Sequence, residues 1–406
     1  MVPLALQRAG ILERVYIDWL VRRGSFEEKI SGLVRRLRPA LGRRMAERTC
    51  PELDPALVIR NPLLAIGSHL RMRRFARQED LFMWSSRRTA RWIIRSGFGR
   101  ANVLYGFIRN AAPEVFEAAR KQGLRTAGDM IIAPIEIEAA EMKRQVDRWP
   151  DWSPSECAEV HPDFLRYERR TWECVDRLTC MSDYVRDGLV SAGVSPDKIT
   201  VIPYPWTEAA PEIKRQRDAG GPLVVGFVGQ VGLRKGAPYF LEVARRFDPR
   251  KVRFVMVGDV ILGREKLAPY SEHVELVGKV PRSQVGQWLE RFDLFLFPST
   301  CEGSAGAVME AMASGLPVLT SPNAGSRARD GVEGFISPYD DVDAFERNVR
   351  RLAEDRALRE EMGRAARQRV LAYDRRAYQK DLLDFFTRLL EGGAGPSQSK
   401  AEGPAV

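Results

Sequence analysis

Histidine and cysteine are scarce in this chain. Its 406 residues hold three histidines (His69, His161, His273) and five cysteines (Cys50, Cys157, Cys174, Cys180, Cys301). The histidines are scattered and no two cysteines form a Cys-x-x-Cys pair, so no zinc or other metal site is expected. An odd cysteine count without a secretion signal points to a reducing cytoplasm. The start, Met1-Val2-Pro3-Leu4-Ala5-Leu6-Gln7-Arg8, has neither the basic n-region nor the long apolar h-region of such a signal. No apolar run reaches about 18 residues, so no transmembrane helix is expected. A Gly-x-Gly-x-x-Gly loop is missing too, which argues against a nicotinamide-dependent dehydrogenase, and no Walker loop is present.

A chain of 406 residues outgrows one hydrophobic core, so two domains are expected. With 44% hydrophobic and 29% charged residues, the composition is that of a soluble globular protein. The charge is uneven. Residues 1–100 hold 21 Lys and Arg against 9 Asp and Glu, a surplus of 12, while the whole chain carries +10. The basic run includes Arg35, Arg36, Arg38, Arg43, Arg44 and Arg48, then Arg71, Arg73, Arg74 and Arg77. Leu33, Leu37, Leu41 and Met45 recur between the first arginines at helical spacing, as in a basic amphipathic helix. Such a face is either solvated and core-packed or suited to an anionic membrane surface. Nucleic acid is the weakest partner reading, since no binding motif accompanies the charge.

The C-terminal half alternates buried-strand and helical patterns. Strands are read at Leu223 to Gly229, Val252 to Gly258, Val274 to Val277, Leu294 to Phe297 and from Pro317, with helices between them. This alternation predicts a parallel sheet covered on both faces, with ligands beyond the carboxyl ends of its strands. Residues 343–390 read as nearly continuous helix with a break near Tyr373-Asp374. The polar stretch 207–221 reads as a linker and the Gly/Pro/Ser-rich tail from Gly392 as disordered.

Two motifs follow strand ends. Gly229-Gln230-Val231-Gly232-Leu233-Arg234-Lys235-Gly236 sets two cations at a helix start, an arrangement suited to a diphosphate. Glu302-Gly303-Ser304-Ala305-Gly306-Ala307 opens a second helix, in which Glu310 lies eight residues beyond Glu302. Small residues let a ligand approach the backbone, and helix-start amides favour phosphate. Carboxylates accept hydrogen bonds from the hydroxyls of ribose and hexose. Glu310 stands among Val308, Met309, Ala311 and Met312, where a buried carboxylate needs donors. Together the motifs read as a sugar-nucleotide pocket. Cys301 beside the loop reads as a small buried residue rather than a nucleophile.

The chain resembles the retaining glycosyltransferases of family 4, most strongly over residues 222–391. The resemblance rests on Glu302 and Glu310, the Ala-Met-Ala-Ser-Gly-Leu-Pro-Val that follows, Lys235-Gly236, and the Asp330-Gly331/Gly334 turn. It implies a GT-B architecture: two Rossmann-like α/β domains facing each other across a cleft. Residues 1–206 would form the acceptor-binding domain, 207–221 the linker, and 222–372 the donor-binding domain. Residues 373–391 would be a helix crossing back to the first domain, with 392–406 as the tail. The implied reaction is metal-independent transfer of a hexose, with retention, from a UDP-, GDP- or ADP-sugar to a glycan, lipid-linked or other hydroxyl acceptor. No tightly bound cofactor is implied. The cysteine count without a secretion signal and the basic first hundred residues suit a cytoplasmic setting, peripheral on the inner face of the cell membrane. Glu302, Lys235 and Arg234 would act on the donor sugar and diphosphate. Gly229, Gln230, Gly303, Ser304, Ala305, Gly306, Ala307 and Glu310 would complete the donor site, Glu310 at the ribose.

The chain departs from the family pattern in three places. Gln230 stands where the family usually has Arg. The start at Pro3 to Gly10 looks like the helix after the family's first strand and glycine-rich loop, so that strand is expected to be missing. Gly128-Asp129-Met130 lacks the histidine often found at that strand end. These departures suit an alternative, a degenerate sugar-nucleotide-binding protein or partner subunit.

Overall fold

The computed structural model describes residues 1–75, 77–153, 156, 159–207 and 221–391. Most of the expected linker, the expected tail and Cys157 therefore lie outside the described residues. No helix of the described residues is long and apolar enough to cross a membrane.

Among the described residues twelve strands form three sheets, and every pairing is parallel. β1 (Val15–Ile17) pairs only with β2 (Val58–Arg60). The second sheet runs β3 (Val103–Phe107), β4 (Arg125–Met130), β5 (Arg177–Cys180), β6 (Ile199–Val201) in sequence order. The third contains β7 (Leu223–Val228), β8 (Val252–Val257), β9 (Val274–Gly278), β10 (Leu294–Phe297), β11 (Val318–Thr320) and β12 (Gly334–Ile336). Its spatial order is β12-β11-β10-β7-β8-β9, the doubly wound order whose direction reverses between β7 and β10. The two central strands are apolar on both faces: Val225, Phe227, Leu294, Phe295, Leu296 and Phe297 are all buried, as a sheet covered on both sides requires.

Two packings cross between the halves. The last helix, Arg375–Glu391, buries Tyr378, Leu382, Phe385 and Phe386 against the helix Val2–Arg8 and the first half's Ala127 and Ile202. The helix Ile135–Arg148 runs the other way. Met142 joins the second half's core, and Trp149 and Trp152 pack against it. Tyr239 donates its hydroxyl to Gln145 at 2.7 Å, and Tyr339 donates to Glu141 at 2.8 Å. Apolar and aromatic burial on both sides thus ties the two sheets together.

Two expectations need correction. The periodicity from Leu33 to Met45 is not one helix. Helices Phe26–Leu37 and Pro39–Ala46 meet at Arg38, because Pro39 has no N–H to donate inside a helix and fits its first position. The helical stretch from 343 breaks at Asp355 as well as before Arg375. Asp355 has extended dihedrals and caps the next helix, its carboxylate accepting from the Leu358 N–H. Asp129 is 3% exposed and faces the layer of the last helix. There it accepts from Thr179 Oγ1 at 2.9 Å and Tyr204 OH at 3.3 Å. Loss of solvation pushes its carboxyl up to about 6.

Candidate donor site at the strand-order reversal

The reversal between β7 and β10 leaves a crevice at the carboxyl ends of these strands. The loop after β7 runs from Gly229 to Gly236, and the loop after β10 runs from Pro298 to Ala305. The topology therefore brings together the two motifs that the sequence separates by about seventy residues. Gly236 makes the approach close. Its φ is +72°, and a Cβ there would stand 1.8 Å from the Pro298 carbonyl oxygen. The main chain then locks the loops: Thr300 N–H donates to Arg234 O at 3.0 Å, and the hydroxyls of Ser299 and Thr300 donate to the same oxygen.

Glu302 is the electrostatic centre. Its carboxylate pairs with the Lys235 ammonium and accepts from Arg234 Nη1 at 3.2 Å. Arg234 Nη1 also donates to the Cys301 carbonyl at 3.1 Å. Burial lowers the Lys235 ammonium below its ordinary range, with the Glu302 charge pulling the other way. The three predicted charges therefore form one cluster. Cys301 is fully buried, and desolvation pushes its thiol up to about 12, which leaves it inert as a nucleophile.

The helix Gly306–Ala313 starts here without a side-chain cap on its first amides. Ala305 N–H is engaged by the Ala324 carbonyl at 2.9 Å, so Ala305 lines the loop but offers no amide to a ligand. Ser304 Oγ is buried without a hydrogen-bond partner among the described residues. Glu310, on the first turns of this helix, pairs with Arg282 Nη2 at 2.6 Å. Gly229 opens the loop after β7, and Gln230 beside it is exposed.

Four contributors carry no signal in the sequence analysis. Glu156, from the first half, accepts from the consecutive amides of Leu233 and Arg234 at 2.7 and 3.0 Å. A carboxylate here occupies an amide pair of the expected phosphate loop. Arg282 reaches Glu310 from the crossover after β9. Ser182 donates its hydroxyl to the Gly303 carbonyl, and a Cβ on Gly303 would stand 1.7 Å from the Ile131 carbonyl oxygen. The Gly303 turn thus seats directly on the first half. Ser182 also caps the helix Asp183–Ser191, its hydroxyl accepting from the Val185 N–H.

Comparison with known proteins agrees with this geometry. The family described as Glycosyl transferases group 1 matches residues 222–355. A sulfoquinovosyl transferase of Arabidopsis thaliana is 31% identical over 161 residues, which cover 38% of this chain and 31% of the plant protein. An Escherichia coli enzyme named UDP-Gal:alpha-D-GlcNAc-diphosphoundecaprenol alpha-1,3-galactosyltransferase is 28% identical over 207 residues, 46% of this chain and 53% of that protein. The matches thus span between a third and about half of these relatives' lengths. Among solved structures, a sucrose-phosphate synthase of Thermosynechococcus elongatus aligns with a TM-score of 0.62 at 17% identity, covering 94% of this chain and 100% of that one. An Anabaena protein, HepE, solved with UDP and glucose, aligns with a TM-score of 0.58 at 13% identity, covering 93% and 99%. The chain therefore has the fold of a GT-B glycosyltransferase, and residues 222–355 within it match the glycosyl transferases group 1 family.

Proposed function

We propose that this chain transfers a hexose, with retention and without a metal, from a nucleoside-diphosphate sugar to a hydroxyl acceptor. The observation that carries the reading is the convergence, at one strand-order reversal, of Lys235, Arg234, Glu302, an uncapped helix start and Glu310. In this reading the diphosphate takes Lys235 and Arg234 from Glu302. The released carboxylate then holds the sugar hydroxyls. The two cations and the Gly306 and Ala307 amides stabilise the nucleoside diphosphate as negative charge develops on it. Glu310 exchanges Arg282 for the ribose hydroxyls. The seat of the Gly303 turn on Ile131 and Ser182 keeps water from the sugar. The Escherichia coli relative and the Anabaena structure carry UDP-Gal and UDP in their names, which favours a uridine donor over guanosine or adenosine.

We further propose a glycan or lipid-linked acceptor, met in the cytoplasm at the inner face of the membrane. The basic surplus of residues 1–100 supports that setting.

A thermal-shift panel of UDP, GDP, ADP and CMP tests the donor site. At about a hundredfold its dissociation constant a ligand stabilises by roughly 2.7 kcal/mol. One nucleoside diphosphate should shift the melting temperature, and Glu310→Ala should abolish the shift. No shift with any of them would overturn the reading. The degenerate alternative draws on Gln230 in place of the family's arginine and on Glu156 at the loop amides. It requires nucleotide binding with neither transfer nor donor hydrolysis.

A further inference from the structure

The helix Phe26–Leu37 is packed inside out. Glu27 and Ser31, two polar residues one turn apart, are 2% and 1% exposed. Glu27 faces inward to accept from Arg60 Nη1 at 3.1 Å, and Ser31 Oγ is buried without a partner among the described residues. Phe26, Leu33 and Leu37 face outward instead, Leu37 at 78% exposure. Phe26, Ile30, Leu33 and Leu37 recur at four, three and four residues, one stripe of a helix. The helix Pro62–Arg71 also turns leucines outward: Leu63 and Leu70, seven residues apart, are exposed, Leu70 at 73%, and Met72 follows. The Glu27–Arg60 pair holds the starts of these two helices side by side.

Scattered surface leucines need no explanation, but two apolar stripes turned outward, the first backed by polar residues turned inward, do. Lys29 and Arg36, seven residues apart on the flank of the first stripe, are exposed and make no ion pair among the described residues. Arg71 and Arg74 flank the second and are likewise exposed. A second copy of this chain would bring arginine against arginine, which disfavours self-pairing through this face. Nucleic acid would satisfy the arginines and leave the leucines wet.

We propose that this face, the Phe26–Leu37 and Pro62–Arg71 helices, is the surface by which the chain lies on an anionic lipid bilayer. The leucines enter the headgroup–acyl boundary and the arginines meet lipid phosphates. The inference deepens the membrane-face setting proposed above and rests on it, but not on the donor site.

Flotation with vesicles of phosphatidylcholine alone, or of phosphatidylcholine with phosphatidylglycerol, tests it on the full chain. The wild type should float with the anionic vesicles only, and less in high salt. Leu33→Glu with Leu37→Glu, or Lys29→Glu with Arg36→Glu, should each weaken binding about tenfold. Both double variants should keep the wild-type melting temperature and nucleotide shift, because the substituted side chains are exposed and outside the donor loops. Undiminished flotation of both would overturn this surface while leaving the membrane setting standing. A wild type that binds neither vesicle would overturn both. Leucine-dependent self-association in sedimentation, without vesicle binding, would overturn the proposal in favour of a second copy. In every case the nucleotide shift reports separately on the donor site.

Discussion

The two larger sheets of this chain use the same edge differently. At the carboxyl end of β3, Arg109 sits half-buried in a closed network. It donates to Glu168 and Glu138 at 2.7 Å each and to the Ala133 carbonyl at 2.7 Å, and Glu168 also accepts from the Ile135 amide. Every charge there has its partner inside the first half, and the network pins the start of the Ile135–Arg148 helix. At the carboxyl ends of β7 and β10 the charges are paired too, but across loops, around an uncapped helix start and an orphaned Ser304 hydroxyl. Parallel sheets place polar groups at this edge in either case. A closed network fixes a fold, whereas exchangeable pairs beside unfilled donors receive a ligand.

The contrast predicts opposite phenotypes for two single substitutions. Arg109→Ala leaves the fully buried Glu168 without its counter-charge. It should cost about 3–5 kcal/mol of stability, read by denaturant unfolding. Nucleotide shifts of the surviving folded protein should stay as in the wild type. Lys235→Ala should do the reverse. It removes a charge that burial already disfavours, so stability should change little. Turnover should fall roughly 10²- to 10³-fold, the usual loss of one group that stabilises developing charge. If Lys235→Ala unfolds the protein and Arg109→Ala does not, the division between the two edges is wrong.

How far the sequence foretold this division depends on range. The donor loops were legible because each motif is local: a buried strand, small residues, charges at fixed spacing, then a helix start. Their meeting was legible only through the strand alternation that implies a doubly wound sheet. Glu156 on the Leu233 and Arg234 amides and Arg282 on Glu310 were not legible. They are ordinary surface residue types recruited from distant segments, and nothing local marks them. The Leu33 to Met45 repeat misled for the opposite reason. Periodicity was read across Pro39, although proline fixes where a helix can begin. The inward Glu27 and outward Leu33 were hidden as well, since a stripe in sequence does not say which side the fold will cover.

The last helix joins the comparison through Asp129. Its carboxyl sits near 6 in the fold and near 3.9 when unfolded. Between those values the folded state holds a proton that the unfolded state has lost, so stability falls as pH rises from about 4 to 6 and stays lower above. The cost is on the order of 2–3 kcal/mol at neutral pH. Asp129→Asn should flatten that part of the stability–pH curve, measured by urea unfolding across the range. An unchanged slope would mean that other carboxylates set it.

The smallest effect probes the exchangeable edge itself. Glu156→Gln keeps the side chain's length and one acceptor oxygen but removes the negative charge from the Leu233 and Arg234 amides. Charge-assisted bonds are worth about twice neutral ones, so the unliganded protein should lose about 1 kcal/mol. If the diphosphate draws on the same amides, the variant should bind it several-fold more tightly, because the anion it must displace is gone. Lower stability with higher affinity is a sign combination that a purely structural glutamate does not produce. Titration calorimetry beside a melting curve reads both at once. Equal losses in stability and affinity would place Glu156 with Arg109, as part of the framework, and leave Glu302 as the acidic group that the ligand must displace.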